Sequence, residues 1–274
     1  MAQSVQAAGL IANKGIELLT SRTPNGYKVS ILLEELKEVY GTDYTFQNID
    51  LSQRVNKEAW FTKLSPNACI PAIVDHDNGG FAVMETVAIL SYLARHYDPE
   101  NKFFFKDPLD ICTAEQWLAW QHGNLTPMQA QTNAFYQFLP ERSAFPMQRF
   151  FGQTERLYGV LDARLANRDY LVGHGDGKYS IVDIAAWPLV NATAAAGIEL
   201  EEFPNVYKWW DRISQRPAVQ KGVTVPSGPV ALLDYRETQK QRKEDPQGTE
   251  EREKPFREAL EKAQKEFGYV YKSP

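Results

Sequence analysis

Apolar patterning changes character once along this chain of 274 residues, and that change constrains the fold more than any other feature. Up to Tyr97, short strand-like runs alternate with helix-period runs. Ile16 to Thr20 reads as a strand, and Tyr44 to Leu51 alternates as a second. Ala72 to Asp75 and Phe81 to Met84 read as two more, with the turn cluster His76 to Gly80 closing a hairpin between them. Between these lie helical stretches at Gly26 to Tyr40, Lys57 to Leu64 and Glu85 to Tyr97. In the first, Val29, Leu32, Leu33, Leu36 and Val39 recur at spacings of three and four. The order is βαβαββα over residues 14–97. Asp98 to Pro108 is a polar and aromatic linker. Beyond it strand signals vanish, and Leu109 to Asn133, Met147 to Asn167, Ile181 to Ala196 and Val206 to Gln215 read as helices. Residues 109–224 therefore form an all-α domain, with Pro188 expected to bend its third helix.

Ser180 and Asp183 stand at the S-x-x-D spacing of a capping box, just ahead of an apolar run, and predict the buried start of a helix. From Val225 the composition shifts. "ETQKQRKEDPQGTEEREK" carries dense, balanced charge and reads as solvated loop or loose helix. "KPFREALEKAQKEFGY" reads as a helix with Pro255 at its first position and Gly268 at its stop. Phe256, Leu260, Ala263 and Phe267 line one narrow stripe of it, expected to dock on the protein or on a partner subunit. Residues 225–274 thus form a charged extension with a terminal helix.

Several function classes are unfavourable on composition. The 30 basic and 35 acidic residues are intermixed, for a net charge of -5. A nucleic-acid surface needs a clustered basic excess instead. No apolar run approaches the roughly 18 residues of a membrane span, and the opening "MAQSVQAAGLIANKG" has no charged n-region or long apolar core of a secretory signal. Cys69 and Cys112 are the only cysteines, so a disulfide scaffold is not expected and a reducing cytosol is. His76, His96, His122 and His174 are scattered, with no metal-ligand spacing, so no metal is expected. No Walker loop, GxSxG or GxGxxG follows a strand.

What remains is "TPNG" at Thr23 to Gly26, between the first strand and the first helix. Pro and Gly so close together announce a turn, yet this turn opens directly into a helix. Taken with "SPNACIPAIVD", "METVAIL" and "YSIVDIAAWP", in this order, it resembles the glutathione transferases. "TPNGYKVSILLEEL" is similar in particular to the nu class and the related fungal nitrogen-regulator group. The resemblance runs from about Lys14 to Val223. It implies a thioredoxin-like N-terminal domain, an α-helical C-terminal domain, a homodimer, and glutathione as co-substrate beside an electrophilic, peroxide or disulfide second substrate.

The same resemblance implies roles for individual residues. Thr23 and Asn25 stand where dithiol relatives of this fold carry Cys-Pro-x-Cys, so the thiol must come from glutathione. A free thiol has a pKa of about 8.5, and lowering it by two units requires about 2.7 kcal/mol of preferential anion stabilisation. A helix N-terminus, the Asn25 amide and the Thr23 hydroxyl can contribute to that. Ile70 and Pro71 resemble the family's cis-proline loop, where Ile70 offers its backbone to the cysteinyl part. Glu85 and Thr86 are matched to the γ-glutamyl ammonium and carboxylate, and Asn56, with Gln53 and Lys57, to the glycyl end. The family's regulators leave a second reading open, a glutathione-binding interaction module with little or no catalysis.

Other residues carry blander readings. Trp117, Trp120, Tyr136, Phe150, Phe151 and Trp187 suit either a core or an apolar pocket. Arg22 suits either an anion contact or solvent. Cys112 reads as a small buried apolar residue. Cys69, two residues before Pro71, reads as a loop residue or as a thiol able to form a mixed disulfide with glutathione.

Overall fold

In a computed structural model that describes residues 9–139, 143–227, 232 and 234–267, the chain forms two compact units. One runs to Lys106 and takes in the segment from Ile213; the other spans Asp107–Arg212 and takes in the segment from Leu232. In the first, β1 (Ile16–Thr20), α1 (Pro24–Tyr40), β2 (Tyr44–Asn48), α2 (Ala59–Leu64), β3 (Ala72–Asp75), β4 (Phe81–Met84) and α3 (Thr86–Tyr97) follow in the βαβαββα order. The sheet order is β2-β1-β3-β4. β1 runs parallel to β2 and antiparallel to β3, and β3 antiparallel to β4. Burial follows from this order. The central strands β1 and β3 are wholly buried, including Glu17 and Asp75, whereas the edge strand β2 is mostly exposed. Leu32, Leu33 and Leu36 of α1, with Ile89, Leu90 and Leu93 of α3, are fully buried in this unit.

The second unit is helical. It contains α4 (Pro108–Trp120), α5 (Thr126–Asn133), α6 (Ala144–Leu165), α7 (Ile181–Asn191) and α8 (Pro204–Ser214), while α9 (Pro217–Gly222) returns to the first unit. All of α7 is buried. Asp183 closes the expected capping box with Ser180 and also accepts from Leu171 N at 3.0 Å and Trp209 Nε1 at 2.9 Å. Burial pushes the Asp183 carboxyl up to about 6, against the pull of these donors. No helix among the described residues is long and apolar enough to cross a membrane.

Four expectations need correction. The single helix from Leu109 to Asn133 is broken by a π-helical turn at Gln121–Leu125, and a second π turn, Ala134–Phe138, follows α5. Gly123, with little helix propensity, falls in the first of these turns, and Pro127, without an N–H, stands just after it at the start of α5. α7 ends at Asn191, and Thr193–Ala196 winds as a 3₁₀ turn instead. Cys112 is exposed: α4 buries Ala114 and Leu118, and a residue two positions from Ala114 points the other way.

The fourth correction concerns the tail. The charged stretch is ordered helix, α10 (Tyr235–Glu244) and α11 (Pro246–Phe267). Pro255 is inside α11, nine residues after its start, and Gly268 lies outside the described residues. Asp234 caps α10 by accepting from Glu237 N at 2.7 Å, and Asp245 accepts from Gly248 N at 2.9 Å ahead of Pro246. Arg242 bridges Glu199 and Glu253, and Tyr235 is buried with its hydroxyl on Glu199 and Glu201. The stripe is largely as expected. Leu260 and Ala263 are buried, Phe256 packs on Tyr136 and Phe267 on Phe145. The aromatics of the second unit are mostly packing. Trp187 is buried with Nε1 on Trp210 O, Phe151 is buried, Phe135 stacks on Phe150, and Trp117 meets Trp120 edge-on.

Candidate active site

The register fixes where the loops emerge. Thr20 ends β1 opposite Asn48 of β2, and Leu19 lies opposite Ala72 at the start of β3. Ala72 in turn lies opposite Met84 at the end of β4. The segments after β1, after β2, before β3 and after β4 therefore all leave the sheet at one end. Thr23, Asn25, Gln53, Asn56, Lys57, Ile70, Pro71, Glu85 and Thr86 all lie in or beside those segments. Beneath them Leu19, Ile49, Val55, Phe61 and Ala72 form a buried cluster, with Ile70 packed against it.

At α1 the first-turn donors can be accounted for in full. Thr23 is the N-cap, with extended backbone, and Pro24 follows without an N–H. Thr23 Oγ1 accepts from Gly26 N at 3.1 Å, and Tyr27 N donates to Thr23 O at 3.0 Å. That leaves the Asn25 N–H with no partner in helix or cap. No acidic residue stands in this first turn. Asn25 Oδ1 is itself buried and makes no hydrogen bond. Thr23, although it caps, retains its hydroxyl proton as a donor. Further along α1, Lys28 is wholly buried, and burial pushes its ammonium down to about 7.

The neighbouring loops are tied to one another. Ser21 Oγ donates to Ile49 O at 2.6 Å, joining the turn after β1 to the loop after β2. Asp50 takes Ser52 N at 2.9 Å and Gln53 N at 3.2 Å, which turns the chain and ends β2 earlier than its alternation suggests. Gln53 is exposed. Asn56 Nδ2 and Lys57 Nζ both donate to Ala68 O, at 2.7 and 3.2 Å. They thereby brace the loop before the Ile70–Pro71 bond, which is cis. Each keeps further donors for another contact. Cys69 is exposed on the same loop, with its carbonyl held by Ser65 Oγ at 3.0 Å.

The start of α3 completes the group. Glu85 is the exposed N-cap residue at φ 70, a strained conformation for a residue with a side chain. Its side chain makes no capping bond; Oε1 lies 3.4 Å from Asn67 Nδ2 of the cis-proline loop. Thr86 is buried, and no acid stands in the first turn of α3. One sheet end thus gathers two helix N-termini open to anions and, beside one of them, a carboxylate able to accept from an ammonium.

Sequence reasoning missed two features here. The first is Gly26, where an added Cβ would lie 2.2 Å from Ser21 O and 2.5 Å from Thr20 Oγ1. Only glycine lets α1 press this closely onto the turn after β1, and its place in "TPNG" was the available signal. The second is Arg216, whose Nε and Nη2 grip the buried carboxylate of Glu35 at 2.6 and 2.7 Å. No local pattern links residues so far apart. Arg22 donates from Nη2 to Val223 O at 3.1 Å, so it faces protein.

Comparison with known proteins identifies the family and the fold. Residues 14–95 match the glutathione S-transferase N-terminal domain, and residues 132–217 match the C-terminal domain of the same family. The chain belongs to the glutathione S-transferase family and has its two-domain fold. Within it, the chain falls with the nu-class and URE2-like members. It is 39% identical over 207 residues to the disulfide-bond oxidoreductase YfcG of Escherichia coli, covering 74% of this chain and 92% of that one. To the transcriptional regulator URE2 of Saccharomyces cerevisiae it is 30% identical over 244 residues, 77% of this chain and 68% of the regulator. A crystal structure of a glutathione transferase homolog from Lodderomyces elongisporus, with two glutathione molecules per subunit, superposes with a TM-score of 0.72. It is 37% identical and covers 78% of this chain and 99% of its own.

Proposed function

We propose that this chain binds glutathione at the end of its sheet and uses it, as thiolate, for thiol–disulfide exchange. The observation that carries the reading is the start of α1. It has no acid and no cysteine, and one backbone N–H without a partner in helix or cap. A sulfur anion is the reacting group that such a helix start favours over its neutral form. The Asn25 N–H and the Thr23 hydroxyl donate to the sulfur. Ile70, beside the cis bond, offers its backbone to the cysteinyl part. Glu85 accepts from the γ-glutamyl ammonium, and the open start of α3 at Thr86 takes the γ-glutamyl carboxylate. Asn56, Lys57 and Gln53 face the glycyl end.

With no cysteine at the start of α1, two glutathione molecules supply both electrons. The first thiolate attacks a substrate disulfide, forming a glutathionyl mixed disulfide and releasing one substrate thiolate. The second attacks the glutathione sulfur of that mixed disulfide, giving glutathione disulfide and the second substrate thiolate. The relative named as a disulfide-bond oxidoreductase supports this over conjugation or peroxide reduction. On family grounds the working form is a homodimer. The test is titration of the chain with glutathione, followed by turnover assays with a small disulfide, a model electrophile and a hydroperoxide. Turnover of the disulfide above the other two supports the reading. Binding without turnover of any of them replaces it with a regulatory, URE2-like module.

A further inference from the structure

α9 follows the helical domain in sequence but packs along α1 in the first unit. Three contacts fasten it at successive heights. Arg22, one residue before the cap, donates to Val223 O at 3.1 Å. Ser30, in the second turn, donates from Oγ to Gly222 O at 2.7 Å in a buried bond. Glu35, further along α1, is held by Arg216. Between them the two backbones touch. A Cβ added at Gly222 would lie 2.7 Å from Ile31 Cα and 2.8 Å from Ile31 N. Gly222 has an ordinary backbone conformation, so it is the space, not the dihedral angle, that requires glycine there.

α1 is therefore gripped on two sides by glycine seams, Gly26 against the turn after β1 and Gly222 of α9 against Ile31. A side chain can repack around a small displacement, but a seam of backbone on backbone transmits it whole. The field of a helix start acts over its first turn and weakens with distance, so the placement of that turn sets how strongly a bound anion is favoured. We propose that α9, through Gly222 and the Ser30 and Arg22 bonds, positions the first turn of α1 and so sets the acidity of the bound glutathione thiol. Gly222, Ser30 and Arg22 are positioning residues, acting through the Asn25 N–H. This rests on the reading of α1 as the thiolate site.

The test uses the full chain and two ligands. Glutathione reports the thiol through thiolate absorbance against pH. S-methylglutathione has no ionisable thiol, and its affinity reports only the contacts to the rest of the peptide. Gly222→Ala is expected to raise the bound-thiol midpoint by about half a pH unit, a roughly threefold loss of thiolate below it. Affinity for S-methylglutathione is expected to stay within about twofold, since Ile70, Glu85 and Thr86 stand in the cis-proline loop and at the start of α3 rather than on α1. Ser30→Ala, which adds no bulk, is expected to move the midpoint in the same direction by less, and it decides the matter if Gly222→Ala does not fold. Wild-type protein that binds neither ligand would remove the proposed function itself. Wild-type protein that binds both, with variants that titrate like it or lose both ligands in parallel, would overturn the positioning role alone.

Discussion

Two helices of this molecule begin in a similar way and end up doing opposite things. α1 starts after Thr23 and α7 after Ser180, each a hydroxyl N-cap with extended backbone that accepts from the first turn. At α7 an acid follows at the third position. Asp183 folds back onto Ser180 N at 3.0 Å, takes Leu171 N and Trp209 Nε1 as well, and is buried with every element around it. The positive end of that helix is neutralised from within. At α1 the same positions hold Pro24, Asn25 and Gly26, and no acid. Its positive end opens onto the sheet edge where the site loops converge. One carboxylate in the first turn separates a structural helix start from one able to hold a substrate anion.

The largest effect is expected where the start is closed. Asp183→Ala leaves buried N–H groups of Leu171, Ser180 and Trp209 without acceptors. It should cost about 4 kcal/mol, read from urea unfolding. A loss under about 1 kcal/mol would mean that the box does not hold α7. The milder Asp183→Asn bears on pH. The folded carboxyl sits near 6, against an ordinary value of 3.8. Between these the folded state holds a proton that the unfolded state has released. The contribution is thus fully present below about 3.8 and is lost as pH rises through about 6. Wild-type stability should carry this fall across pH 4 to 6, and Asp183→Asn should lack it. Parallel pH curves for the two proteins would show that Asp183 is ionised throughout.

Closing α1 in the same manner should reverse its character. Asn25→Asp puts a carboxylate into the first turn, where α7 has one. Helix stability should hold or rise, by up to about 0.5 kcal/mol. Glutathione affinity should fall about 100-fold, or about 2.7 kcal/mol, from like-charge repulsion partly screened by solvent. Calorimetric titration beside a thermal melt reads both. If affinity survives while stability rises, an open helix end is not what holds the ligand.

How far the sequence carried depends on whether a feature is local. The βαβαββα order, the capping box at Ser180 and Asp183 and the stripe at Leu260 and Ala263 were legible, because each is a period or spacing within one segment. The turn "TPNG" was legible as a helix start, and Ile70, Glu85 and Asn56 only by resemblance, since nothing local joins them before the sheet does. The grip of Arg216 on Glu35 and the seam between Gly222 and Ile31 were hidden, being contacts between residues almost two hundred positions apart. The tail was misread for a different reason. Pro255 looked like a helix opening, but Asp245-Pro246 offered a stronger one, a capping carboxylate ahead of the proline. The cost of Pro255 inside α11 is met by the buried stripe and by the bridges of Arg242 and Arg257.

The smallest expected effect separates α1 from the second open start, that of α3. Asn25→Ala keeps the backbone N–H assigned to the sulfur but removes the side-chain amide beside it. It should raise the bound-thiol midpoint by about one pH unit, close to 1.4 kcal/mol, with little change in the melt. Thr86→Ala and Glu85→Gln act at the end assigned above to the γ-glutamyl group, far from the reacting atom along the peptide. They should weaken glutathione about fivefold to tenfold and leave both the thiol midpoint and the saturated rate within about twofold, because contacts to a non-reacting group bind ground and transition states alike. Titrating thiolate absorbance and measuring KM and kcat for all three variants divides the site into an end that ionises the ligand and an end that only holds it. A midpoint that moves with Thr86→Ala, or fails to move with Asn25→Ala, would erase that division and place the anion between the two helices rather than on α1.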